Sequence, residues 1–246
     1  MRKKYLAMGC ALLLAAMNVQ AGIMASATRV LFLEGDTEKS LMLSNTNGYP
    51  IVAQTWVDNG DVNAAPERSH APFVTLPSVF VLRPSVMKGL RILFIGANLP
   101  TDRESVYWLN LYEIPPTQQD MPPMTSRITL SMNTQMKIFY RPKTLKGGVE
   151  RAAKGVSFSL VEESPNEYLL RCNNRSAFYL SFANISIQID GLDYAVRQEN
   201  DMMIAPLSIR DYRVSNISIS SPLQKFTVKA TFIDEKGQQF MNEYLN

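Results

Sequence analysis

Short runs of alternating apolar and polar residues, each closed by a turn signal, recur along almost the whole chain and restrict it to β folds. The first series lies at 28–33, 40–43, 51–57, 73–82, 90–95, 106–114 and 128–140. Its separators include Glu34-Gly35-Asp36, Asn45-Thr46-Asn47-Gly48, Asp58-Asn59-Gly60-Asp61 and Asn98-Leu99-Pro100. Side chains alternate across a strand, so such runs bury one face and solvate the other. Seven of them within about 120 residues predict an immunoglobulin-like sandwich. A polar stretch at 142–154, with Gly147-Gly148 and Lys143, Lys146, Arg151 and Lys154, predicts a linker. A second series at 156–161, 168–172, 178–189, 194–196, 209–219, 226–232 and 240–245 predicts a second sandwich. No amphipathic helix is predicted beyond residue 21, and the two halves share no defensible sequence repeat. The expected fold class is all-β, with domains at 22–143 and 144–246.

The run ending the first series is unusual in length. Ile128, Leu130 and Met132 alternate with Thr129, Ser131 and Asn133, and the pattern then meets Lys137, an aromatic pair and Arg141 before Pro142 stops it. Arg127 to Arg141 exceeds the usual ~5–6 residues of a strand, so its apolar edge is a candidate to serve another chain. Met132 and Lys137 are an odd number of positions apart and belong on opposite faces of a regular strand. A twist or bulge would alter that. Ile128, Leu130 and Met132 could equally face the chain's own core.

Residues 1–21 read as a secretory signal. Arg2, Lys3 and Lys4 precede an apolar run at 5–17, too short to span a bilayer, and Val19-Gln20-Ala21 fits a cleavage site. A second cut after Ala27 is an alternative. Cys10 follows Ala7-Met8-Gly9, a poor lipidation box. Cleavage removes three of the 25 basic residues and none of the 22 acidic ones, leaving zero formal net charge. The basic character thus resides in the signal, and nucleic acid is not an implied partner. Cys172 then remains without an internal partner. It reads as a buried thiol in a strand, the other option being an intermolecular bridge.

Several catalytic classes lack their residues. His70 is the one histidine, and it sits in the polar loop Pro66-Glu67-Arg68-Ser69-His70-Ala71-Pro72 with nothing resembling a triad. The count excludes histidine clusters and paired-cysteine zinc sites. No phosphate-binding loop or dinucleotide fingerprint is present. Glu162-Glu163 reads as a solvated turn. The expectation is a protein that is not an enzyme and needs no cofactor, metal or nucleotide.

Four segments, in order, resemble the periplasmic pilus-assembly chaperones of the PapD type. They are Thr28-Arg29-Val30-Leu31-Phe32, Gln54-Thr55-Trp56-Val57-Asp58, Asp102-Arg103-Glu104-Ser105-Val106-Tyr107-Trp108-Leu109-Asn110 with Glu113-Ile114-Pro115-Pro116, and Lys137-Ile138-Phe139-Tyr140-Arg141-Pro142. The second half is more divergent: Asn173-Asn174-Arg175-Ser176-Ala177-Phe178 replaces a proline-rich turn, and Thr75-Leu76-Pro77-Ser78 lacks consecutive prolines. The resemblance implies two immunoglobulin-like domains set in an L with a cleft between them. It implies that Arg29 and Lys137 anchor the C-terminal carboxylate of a pilus subunit. It implies that Ile128, Leu130 and Met132 form a donor strand that completes the subunit's fold. Glu104, Arg141 and Glu235 match an interdomain ionic cluster, with Asp234 as the alternative to Glu235. The short connection at 117–127 resembles the short-loop branch of the family. The implied partners are pilus subunits and an outer-membrane usher, in the periplasm, and the exposed strand edge offers a route to self-association. A structural pilus subunit or sandwich adhesin is the rival reading.

Overall fold

The computed structural model describes residues 22–61, 66–116, 130–164, 167–214 and 225–246. The expected signal, Ile128 and the connection at 117–127 lie outside the described residues. Among the described residues there are seventeen strands, one 3-10 turn at Pro66–Arg68 and one short helix. They form four sheets, and the paired sheets make two sandwiches, as the recurring strand runs require.

In the first sandwich, one sheet has the order β1-β3-β7-β5. Its strands are β1 (Ile23–Ala25), β3 (Glu38–Asn45), β7 (Met87–Phe94) and β5 (Phe73–Leu76). The facing sheet has the order β2-β9-β8-β4-β6. It contains β2 (Arg29–Leu33), β9 (Met132–Arg141), β8 (Ser105–Ile114), β4 (Ile51–Asp58) and β6 (Val79–Leu82). Alternation drives the packing: Val30 and Phe32 of β2, Leu109 and Leu111 of β8, and Ile138 and Tyr140 of β9 enter one core. β2 runs parallel to β9, whereas β9 is antiparallel to β8.

The second sandwich pairs β10 (Ser157–Ser164), β11 (Glu167–Asn174) and β15 (Ser208–Arg213) in one sheet. The other is built on β13 (Leu192–Ala195), β12 (Leu180–Ile189), β16 (Thr227–Ile233) and β17 (Gln239–Leu245), with β14 (Met203–Ile204) also paired to β12. Leu170, Cys172, Phe182, Ile187, Tyr212 and Phe232 are among the residues that fill its core.

The same turn device recurs in both halves. Asn45 closes β3 and Asn174 closes β11, and both are fully buried. Each side-chain amide donates to the carbonyl four residues on, Tyr49 or Phe178, and to a second carbonyl, Leu82 or Ala205. Each side-chain oxygen accepts the N–H two residues on. A buried amide must satisfy all its polar groups, so one asparagine fixes each turn.

Three sequence expectations need correction. The polar stretch at 142–154 is not simply a linker: it holds helix α1 (Val149–Ala153), whose Val149, Ala152 and Ala153 are buried against the second core. Its five residues are too short to show an amphipathic period. The run at 73–82 is two strands in different sheets, broken at Pro77 and Ser78. Among the described residues the long run is a strand only from Met132, with Leu130 and Ser131 before it outside any ladder.

Candidate functional site

The candidate site lies where β2 and β9 meet the second sandwich. Arg29 and Lys137 are register partners in the parallel ladder, so both side chains leave the face opposite the core. Arg29, Leu31, Lys137, Phe139 and Arg141 share that outer face by alternation. Adjacent strands are about 4.8 Å apart, and like charges placed directly opposite repel. Such a pair persists where anions offset it.

The two cations are offset differently. One terminal nitrogen of Arg29 donates to the Ile233 carbonyl at 3.2 Å, and the guanidinium lies 5.9 Å from the Phe139 ring centre. Its Nε is buried with no hydrogen-bond partner among the described residues. Burial lowers the Arg29 pKa, against the raising pull of Asp234 and Glu235. A buried donor without an acceptor costs stability, so the site carries an uncompensated polar group at Arg29. Lys137 instead carries Asp201 of the second sandwich, with Nζ 2.7 Å from its Oδ1. The sequence did not single out Asp201. Its loop lies 64 residues from Lys137, and no local pattern marks it.

Beside the cations, Arg141 joins two carboxylates. Its Nε lies 2.7 Å from Glu104, and a terminal nitrogen lies 2.8 Å from Glu235. Its guanidinium covers the Phe178 ring at 4.8 Å. Glu104 also accepts the Tyr179 N–H at 2.9 Å, and Glu235 accepts the Val149 N–H at 3.0 Å. Burial pushes the Glu104 carboxyl above the ordinary glutamate value, against the pull of Arg141. Burial pushes Glu235 upward as well. There the Val149 N–H and Arg141 prevail, and its carboxyl sits below the ordinary value. Asp234 does not join Arg141; its Oδ1 accepts the Lys236 and Gln238 N–H groups and shapes the β16–β17 turn. Gly237 closes that turn at φ +82°, where a Cβ would run into the Thr28 hydroxyl.

The edge of β9 carries the apolar stripe. β2 pairs only with 137–141, while β8 covers the other side of 132–140. The outer edge at 132–136 therefore has no strand partner among the described residues, leaving backbone groups available. Leu130 is 76% exposed and Met132 51%. Both share parity with Met136 and Ile138, which are core residues. Met132 thus continues the inward face of β9, opposite the face of Lys137, and Leu130 precedes it outside the ladder. Behind it, Asn110 Oδ1 accepts from Asn133 and Gln135 of β9, both at 2.9 Å, and Asn110 donates to Asp58 at 2.6 Å. This polar ladder, rooted in the buried Asn110 and Asp58, ties the outer face of β9 to β8 and β4.

The arrangement can bind a chain end by charge and its preceding strand by backbone pairing. Among the described residues, no cluster of three histidine, cysteine or carboxylate side chains could hold a metal.

Known proteins resemble this chain along its length. Residues 22–146 match the family model for the pili and flagellar-assembly chaperone PapD N-terminal domain. Residues 151–244 match that for the pili assembly chaperone PapD C-terminal domain. The chaperone protein FimB/FhaD of Bordetella pertussis is 31% identical over 222 residues, covering 87% of each chain. The crystal structure of the YadV chaperone aligns at a TM-score of 0.76 and 26% identity, covering 92% of this chain and all of that one. A chain of the Salmonella enterica SafA pilin–SafB chaperone complex aligns at 0.71 and 27%, covering 94% and 99%.

Proposed function

The chain belongs to the pilus-assembly chaperone family, and on that premise we propose that it caps pilus subunits by lending them the edge of β9. Leu130 and Met132, with Ile128 before them, insert as alternate side chains into the groove of a subunit that lacks a strand. The unpaired edge at 132–136 supplies the main-chain hydrogen bonds. Arg29 and Lys137 hold the subunit's C-terminal carboxylate and set the register in which the stripe enters. The Glu104–Arg141–Glu235 cluster fixes the angle between the sandwiches so that anchor and stripe stay in line. Delivery to an outer-membrane usher in the periplasm, without nucleotide, completes the reading, with the domain boundary at 143/144.

The observation that carries this function is the coincidence on one strand of an exposed apolar stripe, a free edge and a cation with an opposed partner. The SafA pilin–SafB complex supports a subunit as the partner. The adhesin alternative is not favoured, because the relatives are fimbrial chaperones. Co-expression with a candidate subunit and gel filtration tests the proposal: an equimolar soluble complex is expected. Glycan binding by the chain alone, with no subunit complex, would argue for the adhesin.

A further inference from the structure

Asp201 stands where an incoming carboxylate would have to bind. It lies on the loop between β13 and β14, next to Met202 and Met203, which are buried. Its Oδ1 is 2.7 Å from Lys137 Nζ, and its Oδ2 is 3.8 Å from a terminal nitrogen of Arg210. Arg210 is itself fixed: it donates to the Met203 carbonyl, pairs with Glu199 at 2.7 Å, and lies 5.1 Å from the Tyr212 ring centre. Lys137 keeps 22% side-chain exposure and Asp201 43%. The contact is therefore half-solvated and its strength modest.

We propose that Asp201 is an intramolecular stand-in for the subunit's chain-terminal carboxylate, holding Lys137 in the free protein and yielding it on capture. The proposal rests on the anchor role of Lys137. Three features carry it. First, the two cations of the ladder are unequally served: Arg29 Nε has no acceptor, whereas Lys137 has a carboxylate from the other domain. Second, Asp201 does not lose all charge compensation on leaving, because Arg210 is already within 3.8 Å and anchored. Third, two carboxylates on one half-buried ammonium repel each other, so a chain end gains most once Asp201 has moved away. The effect is competition. A site occupied by its own carboxylate binds an external one with its intrinsic affinity multiplied by the unoccupied fraction. A chain end offering only charge is rejected, and one that also pairs with β9 displaces Asp201.

The test uses the full mature chain and an amino-terminally fluorescein-labelled peptide of alternating valine and threonine. The peptide is made with a free C-terminal carboxylate and as the C-terminal amide, and binding is read by fluorescence anisotropy. Asp201→Asn is expected to bind the acid about two- to fivefold tighter than the wild type, with amide binding unchanged. Asp201→Ser repeats the measurement if the asparagine variant folds poorly. Equal changes for both peptides would mean that Asp201 sets domain packing, and would overturn the proposal. So would an unchanged or weakened acid affinity while the wild type still prefers acid to amide; the anchor reading would then survive. No acid preference in the wild type removes the anchor reading and the proposal with it.

Discussion

Arg29 and Lys137 stand directly opposite each other in the parallel pairing of β2 with β9, two cations on one face of one sheet. Neither contributes to the core beneath, which Val30 and Ile138 fill. The placement opposes stability, since like charges across a ladder repel. It is understandable if the pair exists to receive an anion.

Replacing either cation with alanine is therefore expected to leave the fold intact and to abolish subunit accumulation. Loss of a charge-assisted anchor costs about 1.5–3 kcal/mol of binding. Co-expression, affinity capture and a melting curve check this together. Wild-type subunit yield from either variant would remove the anchor assignment.

Much of this architecture is legible in the sequence, because alternation and turn chemistry are local. Glu104, Arg141 and Glu235 were grouped by the family resemblance alone, and the structure brings them within hydrogen-bond distance. What the sequence concealed depends on non-local contacts or on elements too short to show a period. Asp201 meets Lys137 through tertiary placement alone. Helix α1 is one turn and a half, without a side-chain N-cap. The apolar run at 73–82 carries a break signal at Pro77, but nothing local says that its halves pass into two different sheets.

Arg141→Ala is expected to destabilise the protein strongly, by about 3–5 kcal/mol. It would strand Glu104, whose side chain is only 1% exposed, without its cation. Denaturant unfolding measures the loss. Arg141→Lys should recover only part of it, because one ammonium cannot reproduce a fork between two carboxylates. Full recovery by lysine would show that charge alone matters here.

The two carboxylates on Arg141 are expected to titrate on opposite sides of the ordinary glutamate value, Glu104 above and Glu235 below. The linked stability effects differ in sign. The Glu235 contribution is present above the ordinary value and is lost as pH falls through its lowered one. For Glu104 the folded state holds the proton more tightly, so its contribution falls as pH rises from the ordinary value through the raised one. Carbon-detected NMR of the side-chain carboxyls resolves both. The reverse order would mean that Arg141 outweighs burial at Glu104.

Cys172 is fully buried in β11, and burial pushes its thiol up to about 12. The thiolate is the reactive form, so the native thiol is expected to resist alkylation at neutral pH and react once unfolded. Thiol titration with and without denaturant tests this. A covalent dimer as the main species on a non-reducing gel would contradict the buried placement.

Leu130→Asp is expected to abolish subunit capture while barely moving the melting temperature. Leu130 is 76% exposed and lies before the first ladder residue of β9, so its own sandwich loses little packing when it changes. The same side chain must enter a dry groove when a subunit binds, and an unpaired carboxylate there carries a heavy desolvation cost. An exposed apolar stripe beside unpaired strand edges also invites pairing between copies, so the variant should self-associate less than the wild type. Sedimentation at rising concentration measures that second effect without any subunit present. A large fall in melting temperature, with undiminished capture by the folded fraction, would place Leu130 in the protein's own core and shift the donor register away from Ile128, Leu130 and Met132.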